Sequence, residues 1–191
     1  MIRETIITTI SAAGQVHIAP MGIREQQQGL TVLAPFRPST TLDNVTATGV
    51  AVINYCDDVR IFAGCLTGRR DWPLVPATAV RCLRLEAALA HDELRLERIE
   101  DDTLRPRLLC HVVQRANHKP FRGFNRAQAA VIEAAVLVSR LDMLPHEKID
   151  AEIAYLTIAI DKTAGAAERE AWDWLMQKIA AHRTEHAERP A

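Results

Sequence analysis

No run of apolar residues in this chain approaches the ~20 needed to span a bilayer as a helix, although 48% of its 191 residues are apolar. An excess of charge of either sign is also missing. The 23 Lys and Arg residues stand against 24 Asp and Glu, mixed along the sequence, for a net charge of −1. Nucleic acid and anionic membrane surfaces both favour a strongly basic face, so neither is expected as the main partner. Cysteine is sparse and scattered. Cys56, Cys65, Cys82 and Cys110 form no CxxC pair and no short metal-type spacing, which points to buried thiols and no metal. There is no GxGxxG, no GxSxG, no internal repeat and no low-complexity segment. The opening MIRETIITTI places Glu4 where a secretory leader would be uncharged, so it reads as a strand that begins at once. A cytoplasmic chain is the expectation.

What is present divides into two halves. Over the first ~115 residues, β-branched segments alternate with turn residues. Glu4–Ile10 (ETIITTI) and Gln15–Ile23 flank Ala13-Gly14 and suggest a hairpin. Leu30–Ala34 is a third strand, stopped by Pro35 and Pro38. Good N-cap residues then open a short helix over Thr40–Thr48, which Gly49 ends before a strand at Val50–Tyr55. Arg81–Ala90, Leu94–Ile99 and Leu108–Val113 alternate polar and apolar residues, as half-buried antiparallel strands do.

The second half changes period. Ala127, Ala130, Val131, Ala134, Val138 and Leu141 fall at helical spacing within Asn125–Leu141. A second helix follows Pro145 over Glu147–Asp161, and Gly165 separates a third, whose Trp172, Leu175, Met176 and Ile179 form an i, i+3, i+4, i+7 stripe suited to core or dimer packing. From His182 onward the chain is polar, and a frayed end is expected. Short antiparallel strands followed by helices imply an α+β protein with a barrel or sandwich as its β part.

Chemistry concentrates in two segments. Pro35–Asn44 presents Arg37, Ser39, Thr40 and Thr41 at a helix start. A guanidinium fork, small hydroxyls and unbonded N–H groups of a first helical turn are what a phosphate needs. A plain N-cap beside a solvated Arg37 fits the same residues. In His17–Gly22 the small Ala19 and Gly22 and the ladder-breaking Pro20 suggest an edge or bulge where a flat group could approach the backbone. His17 either faces a ligand or is an ordinary half-buried strand residue.

Three further signals carry less. His182-Arg-Thr-Glu-His186 matches the H-x-x-E-H zinc pattern, but no third ligand follows it. Arg122-Gly-Phe-Asn-Arg126 reads as a loop leading into a helix, and Arg69-Arg70-Asp71-Trp72 as a solvated turn.

The segments ETIITT, HIAPMGI and FRPSTTLDNVTATGVAVIN, taken in order, resemble the FMN-binding split-barrel proteins, and in particular the uncharacterised flavoprotein family DUF447. Thr41–Asn54 is also similar to the flavin-reductase stretch in which a helix leads into a GxxVxN strand, and the run from Asn125 to Ala134 looks like the helical C-terminal part of DUF447. The resemblance implies an antiparallel split β-barrel over residues 1–120 and a helical extension over residues 121–191 packed on the barrel or dimer. It implies that Arg37, Ser39, Thr40 and Thr41 hold the phosphate and ribityl chain of FMN. His17, Ala19, Met21 and Gly22 would lie along the isoalloxazine, largely through backbone groups. Asn44 would brace the loop or touch the cofactor, and Asn54 would approach the flavin or pin the following turn. It also implies a homodimer with FMN at the subunit interface, with Trp72, His118, Lys119 and Arg122 as candidates to complete the partner's pocket.

The functional expectation is an oxidoreductase that passes hydride or electrons between NAD(P)H or another donor and a small-molecule substrate. The family's occurrence in archaea and methylotrophic bacteria points toward pterin or one-carbon chemistry. The cofactor carries the reaction, so the lack of an acid–base pair in the sequence does not count against catalysis. A flavin carrier or sensor without turnover fits the same residues.

Overall fold

The computed structural model describes residues 1–26 and 29–187, which divide into two compact units. The first comprises residues 1–57 and 71–121 and is a closed antiparallel barrel. Its strands in chain order are β1 (Ile2–Ile10), β2 (Val16–Glu25), β3 (Leu30–Leu33), β4 (Val50–Tyr55), β7 (Ala90–Glu100) and β8 (Arg107–Asn117). Around the wall they run β1-β2-β3-β8-β7-β4, and β4 returns to pair with β1. Helix α1 (Thr40–Thr48) lies between β3 and β4, and a two-stranded hairpin of β5 (Leu74–Pro76) and β6 (Leu83–Leu85) precedes β7. This is the barrel, one of the two β architectures that the strand pattern allowed, and the split barrel that the resemblance implied.

Alternation along each strand sorts side chains to the two faces of the wall. Ile7, Ile23, Leu33, Ala51, Ile53, Leu94, Leu108 and Cys110 form the interior, and Leu42 and Val45 of α1 pack onto it. The opposite face of β4 carries Val50 and Val52, which Val80 and Cys82 of the β5–β6 hairpin cover. Gly49 ends α1 at φ 70°, a left-handed conformation that lets its N–H reach the Val45 carbonyl.

Two elements depart from the sequence expectation. Arg81–Ala90 is not one strand: Leu83–Leu85 pairs as β6, a turn follows, and Ala90 already belongs to β7. The next strand begins at Ala90, not Leu94, because His91, Asp92 and Glu93, which look solvent-facing, are buried with polar partners. Glu93 shows how. Its carboxylate is fully buried and accepts from Thr78 N (2.7 Å), Thr78 Oγ1 (2.8 Å), Ala79 N (2.6 Å), Val80 N (2.8 Å) and His91 Nε2 (3.1 Å). Burial alone would raise its pKa; the donors from Thr78, His91 and Ala79 outweigh burial and hold it down at about 2.

The second unit comprises residues 58–70 and 122–187 of the described chain. It contains α2 (Arg60–Leu66), α3 (Arg126–Val138), α4 (His146–Thr163) and α5 (Ala166–Ala187). Helix α2 was not anticipated; its seven residues are too few for a period, and Asp58, which accepts from Arg60 N (3.1 Å), is its one local signal. Asn125 caps α3 by accepting from Ala127 N (2.7 Å), and its amide donates to Thr163 O (3.1 Å) at the end of α4. Small residues of α3 (Ala127, Ala130, Ala134) meet Trp172, Leu175 and Ile179 of α5, with Val59 and Ala63 in the same core. The Trp172 stripe is therefore intrachain core, with Met176 half-buried at its margin. The polar end from His182 stays helical through Ala187, and residues 188–191 lie outside the described residues.

Two stability measurements follow. Leu175→Ala should cost roughly 2–5 kcal/mol in denaturant unfolding read by helical circular dichroism, because the site is fully buried. Met176→Ala should cost clearly less. For Glu93, a depressed pKa adds stability that is fully present above the ordinary 4.5 and is lost as pH falls through about 2. Glu93→Gln should destabilise the barrel by about 3–5 kcal/mol at neutral pH, since a buried acceptor network is broken. It should also flatten the acid limb of the stability profile between those two pH values.

Candidate functional site

Strand β2 runs in unbroken register with β1, from Ile2 opposite Arg24 to Ile10 opposite Val16, so no bulge interrupts it. Its pairing with β3 is confined to Arg24 and Glu25. The stretch Ala19–Gly22 is therefore laddered by β1 alone, and it is the edge that Pro20 suggested. His17, Ala19 and Met21 stand opposite Thr9, Ile7 and Thr5 and share their face of the sheet, the interior side, where Met21 packs against the barrel core. Gly22 belongs to the other face. A Cβ there would lie 2.8 Å from Ile2 Cγ2, so close approach of β1 side chains already requires a residue without one.

Helix α1 starts beside this strand. Ser39 has extended backbone, and its Oγ accepts from Leu42 N (3.3 Å), the N-cap arrangement. Thr40 is exposed, whereas the side chain of Thr41 is buried and only its backbone faces the helix end. The first-turn N–H groups have no intrahelical acceptor. Arg37 is exposed and tied to the β7–β8 turn: its Nη2 lies 2.7 Å from Asp101 Oδ1, and its Nε donates to Asp102 O (3.2 Å). A groove of about 580 Å³ runs along α1, lined by Arg37, Leu42, Asp43, Thr46, Ile99 and Asp101. Two carboxylates in that lining make the groove itself a poor phosphate site. The end of the helix is the better one.

The two asparagines separate. Asn44 Nδ2 donates to Thr9 Oγ1 (3.0 Å), and Thr9 is the cross-strand partner of His17, so α1, β1 and β2 are linked through one polar pair. Asn54 is fully buried on the opposite face of the wall. Its Oδ1 accepts from Leu85 N (2.7 Å), and its Nδ2 donates to Ile6 O and Thr8 Oγ1 (both 3.1 Å). Its amide pins the β5–β6 hairpin to the barrel. The structure thus gathers Arg37, Ser39, Thr40, Thr41 and Asn44 around the start of α1, with His17, Ala19 and Met21 on the neighbouring strand face. Gly22 and Asn54 lie apart from them.

Of the residues proposed to complete a partner's pocket, Trp72 is half-buried before β5, and His118 and Lys119 are exposed beyond β8. Arg122 falls in the helical unit. His118 has a role the sequence did not reveal. Its Nε2 lies 2.8 Å from His91 Nδ1, the rings are stacked 5.0 Å apart, and His91 Nε2 points at Glu93. Because a carboxylate only accepts, the neutral His91 carries its proton on Nε2, and His118 Nε2–H donates to it. Burial, then the Arg84 cation, holds His118 below its ordinary pKa, which suits that neutral donor. The alternation His91-x-Glu93 on one strand face is the signal that could have found this line.

Another cavity, of about 410 Å³, opens where Arg3, Glu25, Tyr55, Asp92 and Arg115 meet. Tyr55 donates to Asp92 Oδ2 (3.1 Å); burial, then the Asp92 charge, raises its phenol pKa, so it stays protonated. The cysteines take no part in either cavity. Burial pushes the Cys65 and Cys82 thiols up to about 11 and Cys110 to about 12, so none of these three is a thiolate at neutral pH.

Known proteins share this architecture. The FMN-bound protein MM1853 from Methanosarcina mazei, itself assigned to DUF447, superposes with a TM-score of 0.80 at 20% identity, covering 93% of this chain and 94% of that one. The 2-nitrobenzoate 2-nitroreductase NbaA of Pseudomonas fluorescens matches at 0.52 and 21% identity over 60% of this chain and 64% of its own. The styrene monooxygenase flavin reductase of Pseudomonas putida S12 matches at 0.51 and 10% identity over 60% and 77%. No curated protein sequence matches. Residues 3–119 match the N-terminal domain of the protein of unknown function DUF447, and residues 125–177 match a further DUF447 model. The chain belongs to the DUF447 family.

Proposed function

We propose that this protein is a cytoplasmic, homodimeric FMN flavoprotein that works as an oxidoreductase on a small-molecule substrate, with NAD(P)H as electron donor. One observation carries the reading: the fold matches, over 93% of the chain, a family member that holds FMN. The local geometry fits such a ligand. A phosphate at the start of α1 would meet first-turn N–H groups, the Thr40 hydroxyl and one face of Arg37. Arg37 has five N–H donors, of which the bonds to Asp101 and Asp102 engage two groups; Asp101 thereby orients the fork toward the loop. Asn44 braces α1 against Thr9, which keeps the helix start in register with β2. The one-sided edge of Ala19–Gly22 offers backbone groups to a flat ring. Bound FMN supplies the hydride chemistry, and the chain orients it and limits access of water. The second subunit closes the ring side of the pocket, which is why the reading requires a dimer.

Three measurements test it. The purified protein should be yellow and release FMN, not FAD, on denaturation; apoprotein that binds neither flavin overturns the reading. Light scattering should report a dimer for flavin-loaded protein, and a monomer at full occupancy removes the shared pocket. NADH or NADPH should bleach the flavin absorbance under anaerobic conditions, whereas a carrier would stay oxidised.

Arg37→Ala should weaken FMN binding roughly ten- to two-hundred-fold in a titration of apoprotein, the range for losing charge-assisted hydrogen bonds. Arg37→Lys should recover part of the loss, since a point charge lacks the fork. Stability should change by less than about 1 kcal/mol, because the Arg37–Asp101 pair is exposed. An unchanged dissociation constant places the phosphate elsewhere.

A further inference from the structure

His182-Arg-Thr-Glu-His186 has no part in the flavin reading, and its two histidines need a third ligand to hold a metal. The fold supplies one from upstream. Asp142, in the turn between α3 and α4, reaches α5 at the level of these histidines. Its Oδ1 lies 2.8 Å from His182 Nε2 and 3.6 Å from His186 Nε2. One ligand atom from each of the three residues falls within 4.8 Å of the others.

We propose that Asp142, His182 and His186 form a divalent transition-metal site, selective for zinc-like ions, that fastens the last turns of α5 to the α3–α4 turn. Three features carry this. The histidines are four residues apart on one helix, so their rings lie one above the other; the ring centroids are 4.0 Å apart. The tautomer of His186 is settled by its own helix. Its Nδ1 lies 2.9 Å from the His182 carbonyl, which can only accept, so neutral His186 carries its proton there and turns the Nε2 lone pair toward Asp142. A ligand histidine held by a backbone carbonyl through its other nitrogen is the usual outer support of a metal site. Finally, ligand atoms ~2.0–2.2 Å from a tetrahedral ion stand roughly 3.3–3.6 Å apart, and the two observed separations of 2.8 and 3.6 Å lie around that range.

Two imidazoles and a carboxylate suit zinc and its first-row neighbours over magnesium or calcium, which prefer all-oxygen sites. Binding displaces the proton shared between His182 Nε2 and Asp142. His182 is largely buried while His186 is half-exposed, so an ion can enter from the solvent side. All three residues belong to the helical unit.

The experiment uses full-length, tag-free protein, as purified with its flavin, stripped with a chelator and dialysed against zinc. One zinc per chain is expected, with a rise in the thermal midpoint. Cobalt in its place should give a tetrahedral spectrum without a thiolate charge-transfer band. His186→Ala and Asp142→Asn should each lower the affinity at least about tenfold, since losing a ligand costs no less than losing an outer-shell partner. The thermal gain should vanish in both, with flavin content unchanged. His186 is half-exposed, so its variant tests the site without disturbing the core. Wild-type protein that takes up no zinc, undiminished zinc in both variants, or a cobalt–thiolate band overturns the proposal.

Discussion

A buried carboxylate governs this barrel. Glu93 sits in the wall at zero exposure and gathers donors from three successive residues, Thr78 to Val80, together with His91. A buried charge is tolerated only when its hydrogen-bonding capacity is met, and here it is met by the turn between β5 and β6. That turn carries Val80 and Cys82 onto Val50 and Val52, so the hairpin covers the outer face of β4. Asn54 makes the same attachment a second time through Leu85 N. Among the described residues, no buried side-chain nitrogen or oxygen lacks a partner.

This covering decides where a ligand can approach. One face of β4 and β1 is closed by the hairpin, and the other is filled by Ile7, Ile53 and Leu94 beneath α1. The backbone edge of β2 and the first turn of α1 stay accessible, as does the cavity beside Tyr55 and Asp92. Side chains alternate strictly along β2, so a ring laid on that edge meets backbone amides and carbonyls more than a row of side chains. A glycine at 22 serves the approach of Ile2 and Glu4 from β1, and does not by itself mark a ligand.

How much of this was legible in the sequence depends on whether a residue's role is local. The β1–β2 hairpin, α1 with its Ser39 cap and Gly49 stop, and the Ala-rich α3 were readable, because alternation, capping and period are short-range signals. The start of β7 was not. His91, Asp92 and Glu93 look like surface residues, and their burial depends on donors that arrive from another hairpin. Helix α2 escaped because seven residues do not display a period, and its partners lie in α3 and α5. Within the site, the Arg37–Thr41 cluster is contiguous and stands out. The Arg37–Asp101 pair and the division between Asn44 and Asn54 depend on which face of β1 each element occupies.

The same distinction bears on the C-terminal histidines. A pattern of two histidines on a helix is cheap in sequence and acquires chemical meaning only through a third group placed by the fold. Here that group comes from Asp142, forty residues before His182. Two imidazole nitrogens aimed at one carboxylate oxygen can each carry a proton or can share a cation with it. In the neutral ring, the carbonyl contact at His186 Nδ1 fixes the proton on the far side and leaves the Nε2 lone pair facing inward, as a metal ligand requires.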